Sequence, residues 1–146
     1  QMIRALTLSH LTVIYIKQSL GRLSALCGCV VAATGSSCGI TYLMGGGYGQ
    51  AAAAVKNMIA NLTGMICDGA KESCGLKVSN AASEAWSAAM LALENRGIRN
   101  TQGIISPDIH ELGITLREFN EKIFSAADSV MIGLMTRQNR SAESRA

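Results

Sequence analysis

The chain has 146 residues, a length that suits one domain with a real buried core. Its net charge is only +3 and its basic residues are scattered, so composition gives no case for nucleic acid as a partner. Nearly half the residues (49%) are hydrophobic, yet one Trp, three Tyr and two Phe are all the aromatics, which leaves Ala, Gly, Leu, Ile and Met to fill the interior. Such small side chains let helices approach closely, and no sustained alternation of Val, Ile, Thr and aromatics marks strands. The expected fold class is all-α: a compact bundle of about five to six apolar, Ala/Gly-rich helices. One helical domain is expected over residues 1–136, with a polar tail over 137–146.

Helical periodicity begins at once, with no cap and no signal-peptide pattern, which reads as the C-terminal part of a longer protein. Residues 2–18 predict a helix that Ile3, Leu6, Leu8, Leu11, Val13 and Ile14 nearly encircle, buried on most sides and ended by Gly21. Residues 23–44 predict a second apolar segment, interrupted at Thr34-Gly35-Ser36-Ser37, and Gly45–Gly49 a loop. A third helix is expected from about Gln50 to Ile66, with Ala54, Val55, Met58, Ile59, Leu62 and Met65 on one stripe, broken by Asp68-Gly69. A fourth runs from about Val78 to Glu94, with Ala82, Ala85, Trp86, Ala89 and Leu93 inward and Gly97 as its cap. Ser106-Pro107 reads as an N-cap and first helical residue, with Gly113 as the stop. Thr115-Leu116-Arg117-Glu118 reads as a capping box that opens the last helix, and the tail from Arg137 as frayed.

No charged residue or histidine occurs from Leu23 to Val55, which is long enough to span a bilayer at about 20 residues per crossing. The Thr34–Ser37 segment, three consecutive glycines and the lack of a Trp/Tyr belt favour a buried helix instead. The expected location is cytoplasmic, with the inner membrane as the alternative.

The chemistry-bearing residues are the five cysteines. An odd count in an apolar, helix-rich chain argues for reduced thiols rather than a secreted disulfide scaffold. Cys67 and Cys74 lie seven residues apart; on an unbroken helix they would stand roughly 10 Å apart along the axis, too far for one metal site. Asp68-Gly69 ends the helix between them, so the loop is able to wrap both thiols around one centre. Zinc prefers spacings of two to four residues and a second pair, and neither is present. The competing explanation is that all five are small buried hydrophobes. Cys27 and Cys29, read as helical, point about 200° apart, so only one would face a shared site. Cys38 falls on the face of Cys27 but three turns on, and one or two of these three are spare.

The segment Ala25-Leu26-Cys27-Gly28-Cys29-Val30-Val31-Ala32-Ala33-Thr34-Gly35-Ser36-Ser37-Cys38-Gly39-Ile40 resembles that of iron–sulfur L-serine dehydratase alpha chains, in which a cysteine and glycine precede two valines and a Thr/Gly-rich turn. Cys67-Asp68-Gly69-Ala70-Lys71-Glu72-Ser73-Cys74 looks even more like the cysteine pair of the L-cysteine desulfidases, a branch of the same superfamily. The forty-residue interval from Cys27 to Cys67 is similar too, and the resemblance covers about Arg4 to Leu134. It implies a 4Fe–4S cluster held by Cys27, Cys67 and Cys74, with the fourth iron open to substrate. Cys29 and Cys38 receive no role from it. It also implies β-elimination from L-cysteine to sulfide, ammonia and pyruvate, with L-serine dehydration as the runner-up. The Thr34 turn is a residue shorter than in the dehydratase branch and lacks its proline, which leaves the substrate open. The implied base lies upstream, so the chain alone is expected to be inactive. Its partners would be that upstream part of the polypeptide, a small amino-acid substrate and a second copy in a homodimer. A non-catalytic helical or membrane-associated domain is the contrasting expectation.

Thr34, Gly35 and Ser36 are the candidates for hydrogen bonds to a substrate carboxylate, against a helix break that satisfies its own backbone. Gly45–Gly49 before a helix has the look of an anion cradle but lacks the lysine of a P-loop. Lys71 inside the cysteine loop either offsets thiolate charge or is solvated; Asp68 reads as a turn former, and His10 and His110 as surface residues.

Overall fold

Gly21 takes φ +70°, a left-handed value that suits glycine, and it ends α1 (Met2–Leu20). An extended stretch then leads to α2 (Gly28–Leu43), and Gly45 at φ +87° makes the turn into α3 (Tyr48–Leu62). Helix α4 (Cys74–Leu93) follows the cysteine loop, and α5 (Ile109–Phe119) continues through a π-helical turn (Asn120–Phe124) into α6 (Ser125–Glu143). The computed structural model describes residues 1–98 and 103–143. Among these residues the fold is all-α, with a single isolated antiparallel bridge, Leu26 to Ile66, in place of any sheet.

Helix α2 is the central element, packed against α1, α3 and α4. Its contact with α1 depends on glycine. A Cβ on Gly35 would stand 2.5 Å from the Ser9 carbonyl oxygen and 2.6 Å from Val13 Cγ2, so only hydrogen fits there. Gly39, one turn on, faces Ala5 and Ser9 at ordinary or slightly tight separation. The other faces of α2 meet α3 through Val55, Met58 and Ile59 and α4 through Ala81, Ala85 and Ala88, all buried. Between α3 and α4 the buried Asn57 donates to Ala88 O at 3.1 Å and accepts from Ile98 N–H at 3.0 Å.

Several sequence expectations change. Thr34–Ser37 does not interrupt α2: the Thr34, Ser36 and Ser37 hydroxyls donate back to the carbonyls of Val30, Ala32 and Thr34, which satisfies them inside the helix. Helix α1 is not buried on most sides, since Met2, Ile3, Leu6, Leu11 and Ile14 are exposed. Ala82 and Trp86 are exposed too, and α4 turns Ala81, Ala85, Ala88, Ala89 and Ala92 inward instead. That helix begins at Cys74, four residues before the expected start, and Asn95 at φ 55°, not Gly97, carries the left-handed turn after it. Asp108 caps α5 by accepting from His110 and Glu111 N–H, which displaces Ser106 from that role. Gly113 does not stop the helix: it lies within α5 where the helix meets Tyr15 and Ser19 of α1. Thr115 opens no capping box; its hydroxyl bonds Glu111 O within α5. Residues 137–143 of the expected tail are helical, and 144–146 lie outside the described residues.

No helix among the described residues is long and apolar enough to cross a membrane.

Candidate functional site

The site is assembled by the chain crossings just before α2 and α4. Residues 25–27 run antiparallel to 65–67: Cys27 N–H donates to Met65 O at 2.8 Å and Cys67 N–H to Ala25 O at 2.7 Å. Side chains alternate along such a pairing, so Leu26 and Ile66 share one face and Cys27 and Cys67 the other. Two cysteines forty residues apart are thereby placed on one side of a two-strand crossing by backbone hydrogen bonds alone.

Cys27 is the N-cap residue of α2, with extended φ −61° and ψ 130°, and its carbonyl accepts from Val30 N–H at 3.0 Å. Because Cys27 is outside the helix, the 200° divergence expected from Cys29 does not apply. The two sulfurs stand 3.2 Å apart, and the Cys29 thiol also reaches Met65 Sδ at 3.6 Å. Burial, then the Cys27 thiol beside it, push the Cys29 thiol up to about 11. Cys38 sits two and a half turns further along α2, its thiol on Ala51 O at 3.6 Å, and burial raises it as well. It borders an apolar cavity of about 250 Å³ between α1 and α3 and takes no part in the crossing.

Cys74 is the first residue of α4, so it stands at the positive end of that helix dipole as Cys27 does at that of α2. Its N–H donates to Lys71 O at 2.9 Å and its thiol to Gly69 O at 3.8 Å. The loop between Cys67 and Cys74 is tied by charge. Asp68 pairs with Lys71 and, at 3.3 Å, with Lys77. Hydrogen bonds from Lys71, its own backbone and Lys77 hold the Asp68 carboxyl down at about 2. Lys77 also donates to Ile66 O at 2.8 Å, so its ammonium bonds the residues on both sides of Cys67. Burial pulls the Lys77 ammonium down, but the hydrogen bond to Asp68 and the charge of its carboxylate, with smaller contributions from Cys27 and Cys67, raise it above its ordinary value.

Lys77 is the residue that sequence reading missed. Lys71, the lysine that the sequence marks, is taken up by Asp68, whereas Lys77 bonds both Ile66 O and Asp68, the neighbours of Cys67. The available signal was its place one helical turn after Cys74, on the face that returns toward the loop. Asp68, read as a turn former, is in addition the anion that joins both lysines. His10 and His110 are exposed. Of the substrate-contact candidates, Thr34 is fully buried with its hydroxyl on Val30 O, and Gly35 is pressed against α1. Ser36 is exposed and borders a cavity of about 300 Å³ between α2 and α4, which Cys29 also lines.

Among the described residues no three His, Cys, Asp or Glu side chains converge as ligands of one metal ion. All five cysteines are free thiols. A polynuclear cluster asks for a different arrangement, one thiolate to each iron around a rim, and soft sulfur is the donor it takes. Reduced thiols at two helix entrances and a backbone crossing, with a cation beside them, fit such a group in donor chemistry.

Comparison with known proteins gives a consistent result. A UPF0597 protein of Bacteroides thetaiotaomicron is 60% identical over 136 residues, which is 93% of this chain and 32% of that protein. A UPF0597 protein of Porphyromonas gingivalis is 53% identical over 92% of this chain and 31% of its own length, and one of Nitratidesulfovibrio vulgaris 47% over 90% and 30%. The chain thus spans about a third of the length of the curated relatives it matches. No solved structure matches. The family described as serine dehydratase alpha chain matches residues 1–128, nearly the whole sequence, and the chain belongs to that family.

Proposed function

We propose that the polypeptide carrying this chain is an iron–sulfur β-eliminating lyase that acts on L-cysteine, with Cys27, Cys67 and Cys74 each holding one iron of a 4Fe–4S cluster. The observation that carries this reading is the 25–27 to 65–67 crossing. It sets Cys27 and Cys67 on one face and starts the Cys74 loop from the same point. When bound, such a cluster supplies a ligand-free iron as a Lewis acid toward the β-substituent of the amino acid.

The chain's own residues have definable tasks. The three thiolates anchor the group, and Lys77 offsets part of the negative charge that they bring together. The paired Asp68, Lys71 and Lys77 hold the loop that carries Cys67 and Cys74. Ser36, at the cavity beside Cys29, is the side chain of the Thr34–Ser36 set positioned to meet a small polar substrate. The base that removes the α-proton is assigned to the rest of the polypeptide, and so is cover for the exposed apolar face of α1 at Met2, Ile3 and Leu6. L-Serine is the second substrate reading, supported by membership of the serine dehydratase alpha chain family.

The test is Cys67→Ser in the intact polypeptide, reconstituted with iron and sulfide under anaerobic conditions. The unsubstituted protein is expected to turn brown and to release sulfide from L-cysteine, and the variant to lose both. A colourless unsubstituted protein, inactive on L-cysteine and L-serine alike, would return the chain to a non-catalytic role.

A further inference from the structure

We propose that Cys27 and Cys29 form a reversible redox pair, which closes to an intrachain disulfide by exchange with a low-molecular-weight disulfide. The geometry points to it directly. The two sulfurs are 3.2 Å apart as free thiols, so a covalent bond of about 2 Å needs little further movement. The only residue between them, Gly28, is exposed and has nothing within 4 Å of where a Cβ would stand, so the three-residue link is free to adjust. Met65 Sδ stands 3.6 Å from Cys29 Sγ, so three sulfurs gather at this point. No other pair among the five cysteines has a sulfur–sulfur contact in the hydrogen-bond geometry of the described residues, and Cys38 is engaged elsewhere on Ala51 O.

The order of events follows from access. Cys27 is buried, whereas Cys29 is half-buried and lines the 300 Å³ cavity between α2 and α4. The small alanines at 32, 33, 81, 82 and 85 shape that cavity, which has room for the end of a small disulfide. Cys29 attacks one sulfur of the incoming disulfide as its thiol gives up its proton: a Cys29–S–S–R bond forms, the external S–S bond breaks, and the departing sulfur takes the proton and leaves as RSH. The Cys27 thiolate then attacks the Cys29 sulfur and expels the second RSH. Two protein thiols are oxidised to one disulfide, and one external disulfide is reduced to two thiols.

The consequence for the cluster rests on the reading of Cys27 as an iron ligand: closure withdraws that thiolate, so the pair would be closed only in cluster-free protein. Cys29 would then protect Cys27 from harsher oxidation and return it on reduction.

The experiment uses the intact polypeptide, cluster-free, equilibrated in reduced/oxidised glutathione mixtures, quenched in acid and alkylated after denaturation. The tryptic peptide from Leu23 to Lys56 holds Cys27, Cys29 and Cys38 together. In oxidising mixtures it is expected to run about 2 Da light with only Cys38 alkylated, and dithiothreitol should restore three alkylated sites. Cys29→Ser should abolish the light species and accumulate no internal disulfide, yet load iron as the unsubstituted protein does. Three alkylated cysteines throughout, or a glutathione adduct that persists on Cys29 without closing, would overturn the proposal. The two readings fail separately: iron loading without the disulfide removes the redox pair alone, and a disulfide without iron loading removes the cluster alone.

Discussion

The two helices that open at the cysteines are held in place by different physics. Helix α2, which starts at Cys27, is locked to α1 by backbone-to-backbone approach at Gly35, and its entrance is tied into the crossing by two backbone hydrogen bonds. Helix α4, which starts at Cys74, is set against α2 by alanines and against α3 through one buried amide, Asn57, and its entrance is held by the charges of Asp68 and Lys77. One half of the site depends on steric fit that admits no adjustment. The other depends on polar groups that are able to open and re-form. A site that must accept a bulky inorganic group after folding gains from such a division, because the second half is free to move while the first fixes the register.

The sharpest way to break the stiff half is Gly35→Val. Its Cβ would fall 2.5 Å from the Ser9 carbonyl oxygen, and a backbone atom has nowhere cheap to go. Overpacking of this kind costs about 3 kcal/mol at the upper end of the usual range. Native-state hydrogen exchange of the intact polypeptide should show the opening free energy of the α2 amides fall by that amount. Gly39→Ala is the control: its Cβ would stand 3.1 Å from Ala5 O, a mild conflict that the helix-forming gain of about 1 kcal/mol offsets. Equal losses at both positions would mean that α1 and α2 do not interlock at Gly35.

The polar half should respond less. Asn57→Ala removes the donor to Ala88 O and leaves the Ile98 N–H without its acceptor, at a cost of about 2 kcal/mol for the buried groups left unpaired. The Ile98 amide should lose its exchange protection and α4 should open more readily, with α2 unchanged. Loss of protection in α2 as well would show that the two halves are one cooperative unit.

How much of this was legible depends on whether the deciding contact was local. The end of α3 was not legible: the helix stops at Leu62, ahead of the expected break at Asp68-Gly69, and residues 65–67 pair with 25–27 instead. The helical class followed from periodicity, because that acts within a few residues. Thr34–Ser37 misled for the opposite reason: its residues favour turns in isolation, and close approach of α1 at Gly35 makes the helix win. The divergence of Cys27 and Cys29 was argued from helix geometry that holds only if Cys27 is helical, and the pairing with Met65, 38 residues away, keeps it extended. Cys27, Cys67 and Cys74 were marked out by resemblance rather than spacing. Lys77 stayed hidden because its partners, Ile66 O and Asp68, are joined to it only after the loop has folded back.

Lys77 therefore offers the finest test of the difference between the two entrances. Lys77→Met keeps most of the apolar stem, which packs at a position only 24% exposed, and removes the charge that bonds Ile66 O and Asp68. Asp68 retains Lys71, so the loop should persist but loosen, with amides of 67–73 exchanging several-fold faster and those of 25–31 unaffected. Lys77→Arg keeps a cation with more donors and should restore protection in part. If the effect came from lost packing instead of lost charge, arginine and methionine would behave alike. If exchange rose equally on the Cys27 side, the backbone crossing could not be the independent lock that sets Cys27 against Cys67.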